Sequence, residues 1–537
     1  MKTQRLNYIK NLLIPCFLLS AVTGVLTGAI IFLFKFVSSY IISFSNTVYS
    51  AVRQNPSYLP LLLLGATALG LLASLILHYA KECRGGGIPT AVASVRGLLP
   101  LKWIQGIFAL FASSMVTYLG GVPLGNEGPS VQMGTAVGKG TTDVLARKNK
   151  AWERYIMTGG ACAGFATATG APLTGILFAV EEIHRRFSPT IFTAASVSVL
   201  TSVSVQRSLS QIFDIDTALF HFEIEGTLPL KYLWIPALIG ISCGLFAILF
   251  TKAYRFIHSL GIKLSVKVPY FVKITSIFVI VALLGFFCED FIGSGHSLTD
   301  KVIEGGAVWY ILLAALLIRA LLLIFANTEG VSGGVFIPIL TFGAIIGALM
   351  SKTVIAAGLV EDAYFPLLVT VGMASFLAVA SRTPLTALAF SVEALSGAVN
   401  ILPIGVGVIV GYLIIEASGI VSFNDTIIEA KTENANKGKT AIIVNTFMTV
   451  RPDSFAVGKE VRDILWPPTC AVLSIDKNNS LLAPNEQGLA AGDVLHIHYS
   501  TYEPEETFKI FEDILGVQEQ ERKEKTHEGT EKHIVPD

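Results

Sequence analysis

The sequence predicts an all-α polytopic membrane domain followed by a small α/β cytoplasmic domain, and three observations support this prediction. Hydrophobic residues make up 52% of the 537-residue chain and charged residues only 15%, a composition typical of proteins with many membrane spans. Apolar blocks, many of them cut by Gly or Pro, continue to about Ala417. From Thr440 onward the sequence changes to short runs of β-forming residues.

The N-terminal apolar run, from Lys10 to about Phe44, is too long for the apolar part of a cleaved signal peptide. We expect a retained first span in a bacterial plasma membrane, with both termini cytoplasmic because Lys2 and Arg5 precede the span. Several later blocks are shorter than the roughly 20 residues that cross hydrocarbon, so we expect them to be buried in protein or to line a cavity. The later blocks are Leu59–Tyr79, Ile104–Leu119, Tyr155–Val180, Ile191–Val205, Leu233–Phe250, Val272–Phe287, Val308–Phe325, Phe336–Leu359, Phe365–Ala380, Leu385–Val392 and Ile401–Ala417.

Charge and cysteine content argue against several classes of function. The formal net charge is zero, so nothing indicates a nucleic-acid partner. We expect neither a metal site nor disulfides, because the cysteines are scattered and most lie in apolar runs; they are Cys16, Cys83, Cys162, Cys243, Cys288 and Cys470. No H-E-x-x-H motif or comparable nucleophile motif indicates an intramembrane enzyme, and no cluster of carboxylates or sulfurs indicates a cation permease.

One carboxylate, Glu127, lies where the surrounding sequence is apolar, between Gly125-Asn126 and Gly128-Pro129. An ionisable residue inside a membrane is costly and marks a candidate functional site. Pro129 suits the first turn of a helix, where a backbone N–H has no partner. Because such helix starts attract anions, Glu127 could occupy the place that a dissolved anion would otherwise fill.

Two halves of the apolar region contain similar broken helices. Gly128-Pro129 precedes Ala171–Glu182 in the first half, and Gly333–Pro338 precedes Thr383–Ala394 at a similar spacing in the second. Paired interruptions of this kind predict a transporter whose binding site lies near the bilayer midplane, where the halves meet.

A third glycine-proline break, Gly85–Pro89, adds a further helix start. Helix starts near Ile88, Gly128 and Phe336 could direct their positive dipole ends at one point, and their glycines would let backbone N–H groups approach an ion. The alternative is that these glycines serve only close helix packing, as small residues commonly do in membranes.

The three glycine-containing segments resemble those of the CLC family of chloride channels and chloride/proton antiporters. The family patterns GSGIP, G(K/R)EGP and GxFxP correspond here to Gly85–Pro89, Gly125–Pro129 and Gly334–Pro338. The resemblance implies a homodimer with one anion pathway in each subunit, and about 18 tilted, partly broken helices in two inverted repeats. It implies that Glu127 gates the pathway and that Glu182 is the inner proton-transfer residue. The implied anion-binding residues are Gly86, Gly87, Ile88, Gly125, Asn126, Phe336, Ile337 and Asn424.

These residues predict a transporter that exchanges chloride, or a similar monovalent anion, for protons across the lipid bilayer. Deprotonated, Glu127 accepts amide hydrogen bonds at the helix start and blocks the pathway; protonated, it loses that attraction and swings away. A glutamate at position 182 favours an antiporter, because the channel branch commonly has an apolar residue there. The local sequence alone favours the alternative that Glu181 and Glu182 form a solvated helix end paired with Arg185 and Arg186; for Glu182 the family resemblance reverses this preference.

Three departures from the family pattern leave alternatives open. Gly86 replaces the usual serine, and no tyrosine is present near Phe423 or Asn424, where the family's pore-lining tyrosine is expected. Both changes keep a passive or weakly coupled chloride channel as the alternative. Asn126 resembles the fluoride-exporting branch, but that branch usually has a methionine at the position of Gly86 and lacks Glu182, so fluoride or nitrate transport is less expected.

We divide the chain into a CLC-like membrane domain (1–421), a linker (422–439), a regulatory domain (440–516) and a charged, disordered tail (517–537). The regulatory domain resembles the C-terminal ligand-binding module of potassium-conductance regulators, the RCK C-terminal domain. Such modules usually dimerise and some bind cyclic di-AMP, so we expect ligand regulation, with no cofactor in the transport pathway. His496 and His498 alternate on a strand without an acidic or cysteine partner, which indicates surface residues more than a metal site.

Overall fold

The computed structural model describes residues 14–516, except 86, 147–148, 216–218, 221, 223, 225, 266–267, 478–479 and 484–487. The basic N-terminal segment, the predicted anion-binding residue Gly86 and the predicted tail 517–537 therefore lie outside the described residues.

The predicted all-α membrane domain is confirmed. Among the helices that the structure describes, eight are long and apolar enough to cross a membrane. Others are too short to span hydrocarbon, such as α3, which has 8 residues, all buried. The helices are α1 (Ile14–Gln54), α2 (Leu59–Tyr79), α3 (Ile88–Val95), α4 (Trp103–Leu119), α5 (Glu127–Leu145), α6 (Lys150–Thr169), α7 (Pro172–Phe178), α8 (Pro189–Phe213), α9 (Trp234–Ser265), α10 (Tyr270–Phe287), α11 (His296–Ile303), α12 (Trp309–Thr328), α13 (Phe336–Ala356), α14 (Phe365–Ser381), α15 (Pro384–Ala394), α16 (Ile401–Ala417) and α17 (Phe423–Asn436).

Corresponding helices in the two halves cross at glycines, as expected of an internal repeat. A Cβ added to Gly134 of α5 would lie 2.2 Å from the carbonyl oxygen of Gly160 in α6. A Cβ added to Gly343 of α13 would lie 2.4 Å from the carbonyl oxygen of Gly372 in α14. Both crossings bring two helix backbones into direct contact, which only a residue without a side chain permits.

The two halves also exchange helix caps. The carboxylate of Glu393 accepts hydrogen bonds from the Leu173 and Thr174 amides at the start of α7, at 2.7 and 2.8 Å. The carboxylate of Glu181 accepts the equivalent bonds from Leu385 and Thr386 at the start of α15, at 3.0 and 2.6 Å. Each glutamate thus satisfies N–H groups that a helix start leaves without partners. Glu181 is therefore a cap of the opposite repeat and does not pair with the neighbouring arginines.

The C-terminal domain is a four-stranded antiparallel sheet with one helix. Its strands β1 (Ile442–Thr449), β2 (Ala471–Lys477), β3 (Ser480–Leu482) and β4 (Val494–Thr501) lie in the order β1-β4-β2-β3, and α18 (Pro504–Leu515) packs on the sheet. His496 and His498 share the less buried face of β4, as predicted. His496 stacks on Phe447, and His498 bonds to Asn445 at 2.6 Å. No cluster of three metal-binding side chains occurs within the described ranges.

The segment predicted as a linker contains helix α17, whose first residues are buried in the membrane domain. Phe423 is 1% exposed and its ring packs against those of Phe250 and Tyr254. The polar composition of 422–439 predicted a linker, but the buried positions fall in the first two turns of a helix, where apolar contacts outweigh the polar remainder.

The loop before β2 fastens the C-terminal domain to the membrane domain. Arg154 of α6 donates to the carbonyl oxygen of Trp466 at 2.5 Å, and its Nε donates to Val95 at the end of α3 at 2.7 Å. The Tyr155 hydroxyl donates to the Asp463 carbonyl at 2.5 Å, and Arg186 donates to Ile464 at 3.0 Å. A single arginine therefore bridges the C-terminal domain and helix α3.

Lys459 is buried at the same interface, with its ammonium over the ring of Phe455 and 5.6 Å from the ring centroid of Trp152. Its Nζ has no hydrogen-bond partner among the residues that the structure describes. The aromatic rings favour the charged amine. The loss of hydration is the larger effect, so burial lowers the pKa of Lys459 from 10.5 to about 6.

We expect Lys459 to make a contribution to stability that rises with pH from about 6 toward 10, because the unfolded chain binds a proton at Lys459 that the folded chain excludes. Lys459→Met should raise the thermal midpoint at pH 7 and flatten this part of the profile. The measurement is tryptophan fluorescence during heating of purified protein at several pH values. The exposed Lys437→Met is the control, and identical profiles for both variants would contradict a neutral Lys459.

Candidate functional site

A two-bond bridge joins the glycine loops of the two repeats. The amide of Gly125 donates to the carbonyl of Gly334, and the amide of Gly334 donates to the carbonyl of Gly125, both at 2.7 Å. Helix α5 begins two residues after the first of these glycines, and α13 two residues after the second. The bridge therefore sets the starts of both helices side by side.

The start of α3 meets the same point. A Cβ added to Gly128 would lie 2.5 Å from the Gly334 Cα and 2.9 Å from the Gly87 Cα. Gly87 has φ 141°, a conformation that residues with a side chain rarely adopt. The three helix starts predicted to converge therefore lie in backbone contact, and their N-terminal dipole ends favour an anion there.

The other predicted anion-binding residues surround this point. Ile88 is 4% exposed, and Phe336 and Ile337 in the first turn of α13 are 4% and 0% exposed. The Phe336 ring packs edge-on against Phe165 of the first repeat and Phe390 of the second. Residues of both repeats thus hold the start of α13 in place.

The Gly87 amide, predicted to face an anion, donates to Oε1 of Gln132 at 2.9 Å. Gln132 is fully buried in α5, and its own amide donates to the carbonyl of Glu82 at 3.2 Å. Sequence reasoning missed this residue, although a glutamine in the buried helix that follows Glu127 is a polar side chain needing a partner.

Glu127 is the first residue of α5 and is fully buried. Neither of its carboxylate oxygens has a hydrogen-bond partner of normal geometry among the described residues. His296 Nε2 lies 3.9 Å from Oε1, beyond hydrogen-bond distance. The backbone amides of Asn126 and Glu127 lie nearest this carboxylate, so the helix start attracts it while no side chain in the described ranges is bonded to it.

A cavity of about 820 Å³ lies near the start of α5. Its lining includes Asn126, which immediately precedes Glu127, together with His296, Lys35 and Asp300. Glu127 itself does not line the cavity, but the residue before it, Asn126, and the side chain 3.9 Å from its Oε1, His296, both do.

Glu182 lies in a π-helical turn, Ala179–Ile183, and is 3% exposed. Its Oε1 accepts a hydrogen bond from Asn424 Nδ2 at 2.9 Å. Arg96 donates to the backbone carbonyls of Glu182 and Ile183, both at 2.8 Å. Arg185 pairs with Asp425. The local sequence favoured a solvated Glu182 paired with an arginine. In the structure Glu182 is instead buried, and its carboxylate is bonded to Asn424.

Asn424 was predicted to donate to an anion, but its amide is directed at Glu182 and, at 3.4 Å, at the Ser381 hydroxyl. Lys431 of the same helix was not predicted to take part. Its Nζ donates to the carbonyls of Arg84 and Gly85 at 2.8 Å, beside the first glycine segment. A lysine in a polar helix resembles a surface residue, so the sequence carries no signal for this contact.

Comparison with known proteins is decisive for the family. The sequence profile of voltage gated chloride channels matches residues 68–416, more than half of the chain and all three glycine segments. The chain belongs to the voltage-gated chloride channel family.

Other members of this chloride channel family are similar over most of the chain. The H(+)/Cl(-) exchange transporter ClcA of Vibrio vulnificus is 28% identical over 395 residues, covering 72% of this chain and 83% of the relative. The crystal structure of a slow cyanobacterial Cl−/H+ antiporter superposes with a TM-score of 0.71 at 22% identity, covering 78% of this chain and 99% of the other. A CLC-type fluoride/proton antiporter superposes with a TM-score of 0.64 at 19% identity, covering 77% and 97%. The two structures support the fold.

We expect Gly128→Ala to weaken chloride binding about tenfold or more, equivalent to at least about 1.4 kcal/mol. A methyl carbon cannot remain 2.5 Å from the Gly334 Cα, so the start of α5 must move away from its neighbours. Isothermal titration of purified protein with chloride measures the effect. Gly65→Ala is the matched control, because no atom lies within 4 Å of its added Cβ. A folded Gly128→Ala protein that binds chloride as the wild type does would refute this site.

Proposed function

We propose that this protein is a secondary active transporter that exchanges chloride for protons, with Glu127 as the gate. One observation carries the proposal: a fully buried carboxylate, bonded to no side chain in the described part of the chain, lies where three helix starts converge. The similarity to an H(+)/Cl(-) exchange transporter over 72% of the chain supports the same conclusion.

Glu127 provides the exchange step through mutual exclusion. Ionised, its carboxylate competes with chloride for the positive end of α5. Protonated, it loses that attraction and moves toward the cavity beside Asn126, which leaves the helix starts to the anion. One group then holds either a proton or a place in the anion pathway, so movement of one species is coupled to movement of the other.

Glu182 is the proposed inner proton relay. It is buried, and it lies four residues before Arg186, which contacts the C-terminal domain. Its carboxylate receives one hydrogen bond from a neutral amide, and the nearby arginines are bonded to carbonyls and to Asp425. A carboxylate without a direct cationic partner can gain and lose a proton without breaking an ion pair.

A passive or weakly coupled chloride channel is the second candidate. The favouring observation is the position of the family's tyrosine, where Phe423 packs into the core and Asn424 turns to Glu182. A fluoride transporter is less favoured, because Glu182 is present.

We further propose a homodimer in a bacterial plasma membrane with cytoplasmic termini, as the family resemblance implies.

Flux in reconstituted vesicles tests exchange. With an imposed chloride gradient, wild-type protein should move protons uphill, and both Glu127→Gln and Glu182→Gln should abolish proton movement because neither amide can carry the proton. Chloride flux should persist in Glu182→Gln. Glu361→Gln, an exposed carboxylate outside the site, is the control. Chloride flux without protons in the wild type would favour the channel, and no halide flux would refute both.

Regulation by a ligand such as cyclic di-AMP is a further proposal for the C-terminal domain, supported by the bridge that Arg154 makes from Trp466 to Val95. We expect cyclic di-AMP added on the side of this domain to change chloride flux of the full chain. Arg154→Gln should retain ligand binding, measured by titration, while the flux response is lost. Absence of binding to the full chain would contradict regulation by this ligand.

A further inference from the structure

Asn424 and Glu182 form a buried pair of side chains at the junction of α17 and the π-helical turn. The amide Nδ2 donates to the carboxylate Oε1 at 2.9 Å, and each residue is 3% exposed. The pair links the proposed proton relay to a helix that also contacts the first glycine segment.

The pair lacks one donor. Both Glu182 Oε2 and Asn424 Oδ1 are buried, and neither has a hydrogen-bond partner within the described ranges. Buried acceptors without a donor are unfavourable. A single proton on Glu182 supplies what is missing, because a carboxylic acid and a carboxamide can form two parallel hydrogen bonds, N–H to Oε1 and O–H to Oδ1.

The charged groups around the pair are already engaged. Arg96, at the end of α3, donates to the Glu182 backbone carbonyl at 2.8 Å and lies 3.5 Å from Asp425 Oδ1. Arg185 pairs with the other oxygen of Asp425. His184 bonds to the Thr158 hydroxyl of α6 at 2.7 Å. None of these bonds reaches the Glu182 carboxylate, so Asn424 is the side chain that responds to its proton.

Helix α17 extends from this pair to the first glycine segment. Asn424 is in its first turn, held by the Ser422 cap on the Asp425 amide at 3.0 Å. About two turns further along, Lys431 donates to the Arg84 and Gly85 carbonyls. A change in how the first turn is held therefore reaches the backbone beside the anion site through one rigid element.

We propose that Asn424 is a positioning residue that retains the proton on Glu182 and couples its arrival and departure to α17. With Glu182 ionised, one hydrogen bond joins Asn424 to it; with Glu182 protonated, two do. The proton binds Oε2 of Glu182, where it is donated to Asn424 Oδ1, and it leaves from Oε2 to the next acceptor in the proton pathway. This inference rests on the proposed role of Glu182 as proton relay.

Asn424→Leu tests the coupling, because leucine has a similar size without a donor or acceptor. In reconstituted vesicles, proton flux should fall about fivefold, the effect of losing about one hydrogen bond, while chloride flux changes less. The reversal potential should then report fewer protons per chloride. Thr426→Val is the matched control, since this buried hydroxyl of α17 donates to the Ser422 carbonyl and not to Glu182. An unchanged reversal potential in Asn424→Leu would overturn the coupling.

Infrared spectroscopy tests the pair independently of transport. A pH titration should show a carboxylic acid C=O band that disappears in Glu182→Gln. In Asn424→Leu this band should move to higher wavenumber because Oε1 loses its donor, and in Thr426→Val it should stay. An unmoved band would overturn the pair whatever the flux. The two tests can also disagree. If Asn424→Leu shows the expected band shift but the wild-type protein moves no protons uphill, the exchange function and the coupling that depends on it are overturned, while the pair itself stands.

Discussion

The structure depends on the paired hydrogen bonds between Gly125 and Gly334. These two bonds of 2.7 Å join loops that are more than 200 residues apart in the sequence. Both loops lead directly into helices, so fixing them fixes the directions of α5 and α13. Without side chains at the contact, the backbones come close enough for three helix dipoles to act on one point.

This arrangement explains why a carboxylate is tolerated at Glu127. The cost of burying an ionised group is offset only by opposite charge or hydrogen bonds. The helix starts supply partial positive charge, but no side chain in the described ranges locks the carboxylate in place. The group is thus attracted to the helix starts without being bonded to a side chain, which the gating role proposed for it requires.

Helix α17 gives the protein a second level of organisation. It contacts the glycine segment through Lys431, the proposed proton relay through Asn424, and the aromatic core through Phe423. The C-terminal domain begins a few residues after this helix and also holds Arg154. The C-terminal domain therefore has two structural connections to the region around the three helix starts, one through α17 and one through α3.

Local sequence was sufficient for features that a single segment encodes. Apolar blocks predicted the membrane domain, alternation placed His496 and His498 on one face of β4, and Gly128-Pro129 marked a helix start. Contacts between distant segments had no local signal. The cap that Glu181 provides for α15 and the bond from Gln132 to Gly87 depend on where other helices lie.

The sequence by itself determined that the chain spans a membrane, that its halves repeat, and that three glycine-containing helix starts accompany one buried acid. Hydrophobicity and backbone chemistry act over a few residues, so they are visible in the order of amino acids. Only the tertiary structure decided which groups face one another. Asn424 donates to Glu182 and not to an anion as predicted, and Lys431 donates to backbone carbonyls. Hydrogen bonds require atoms within about 3 Å, and folding alone brings such distant residues that close.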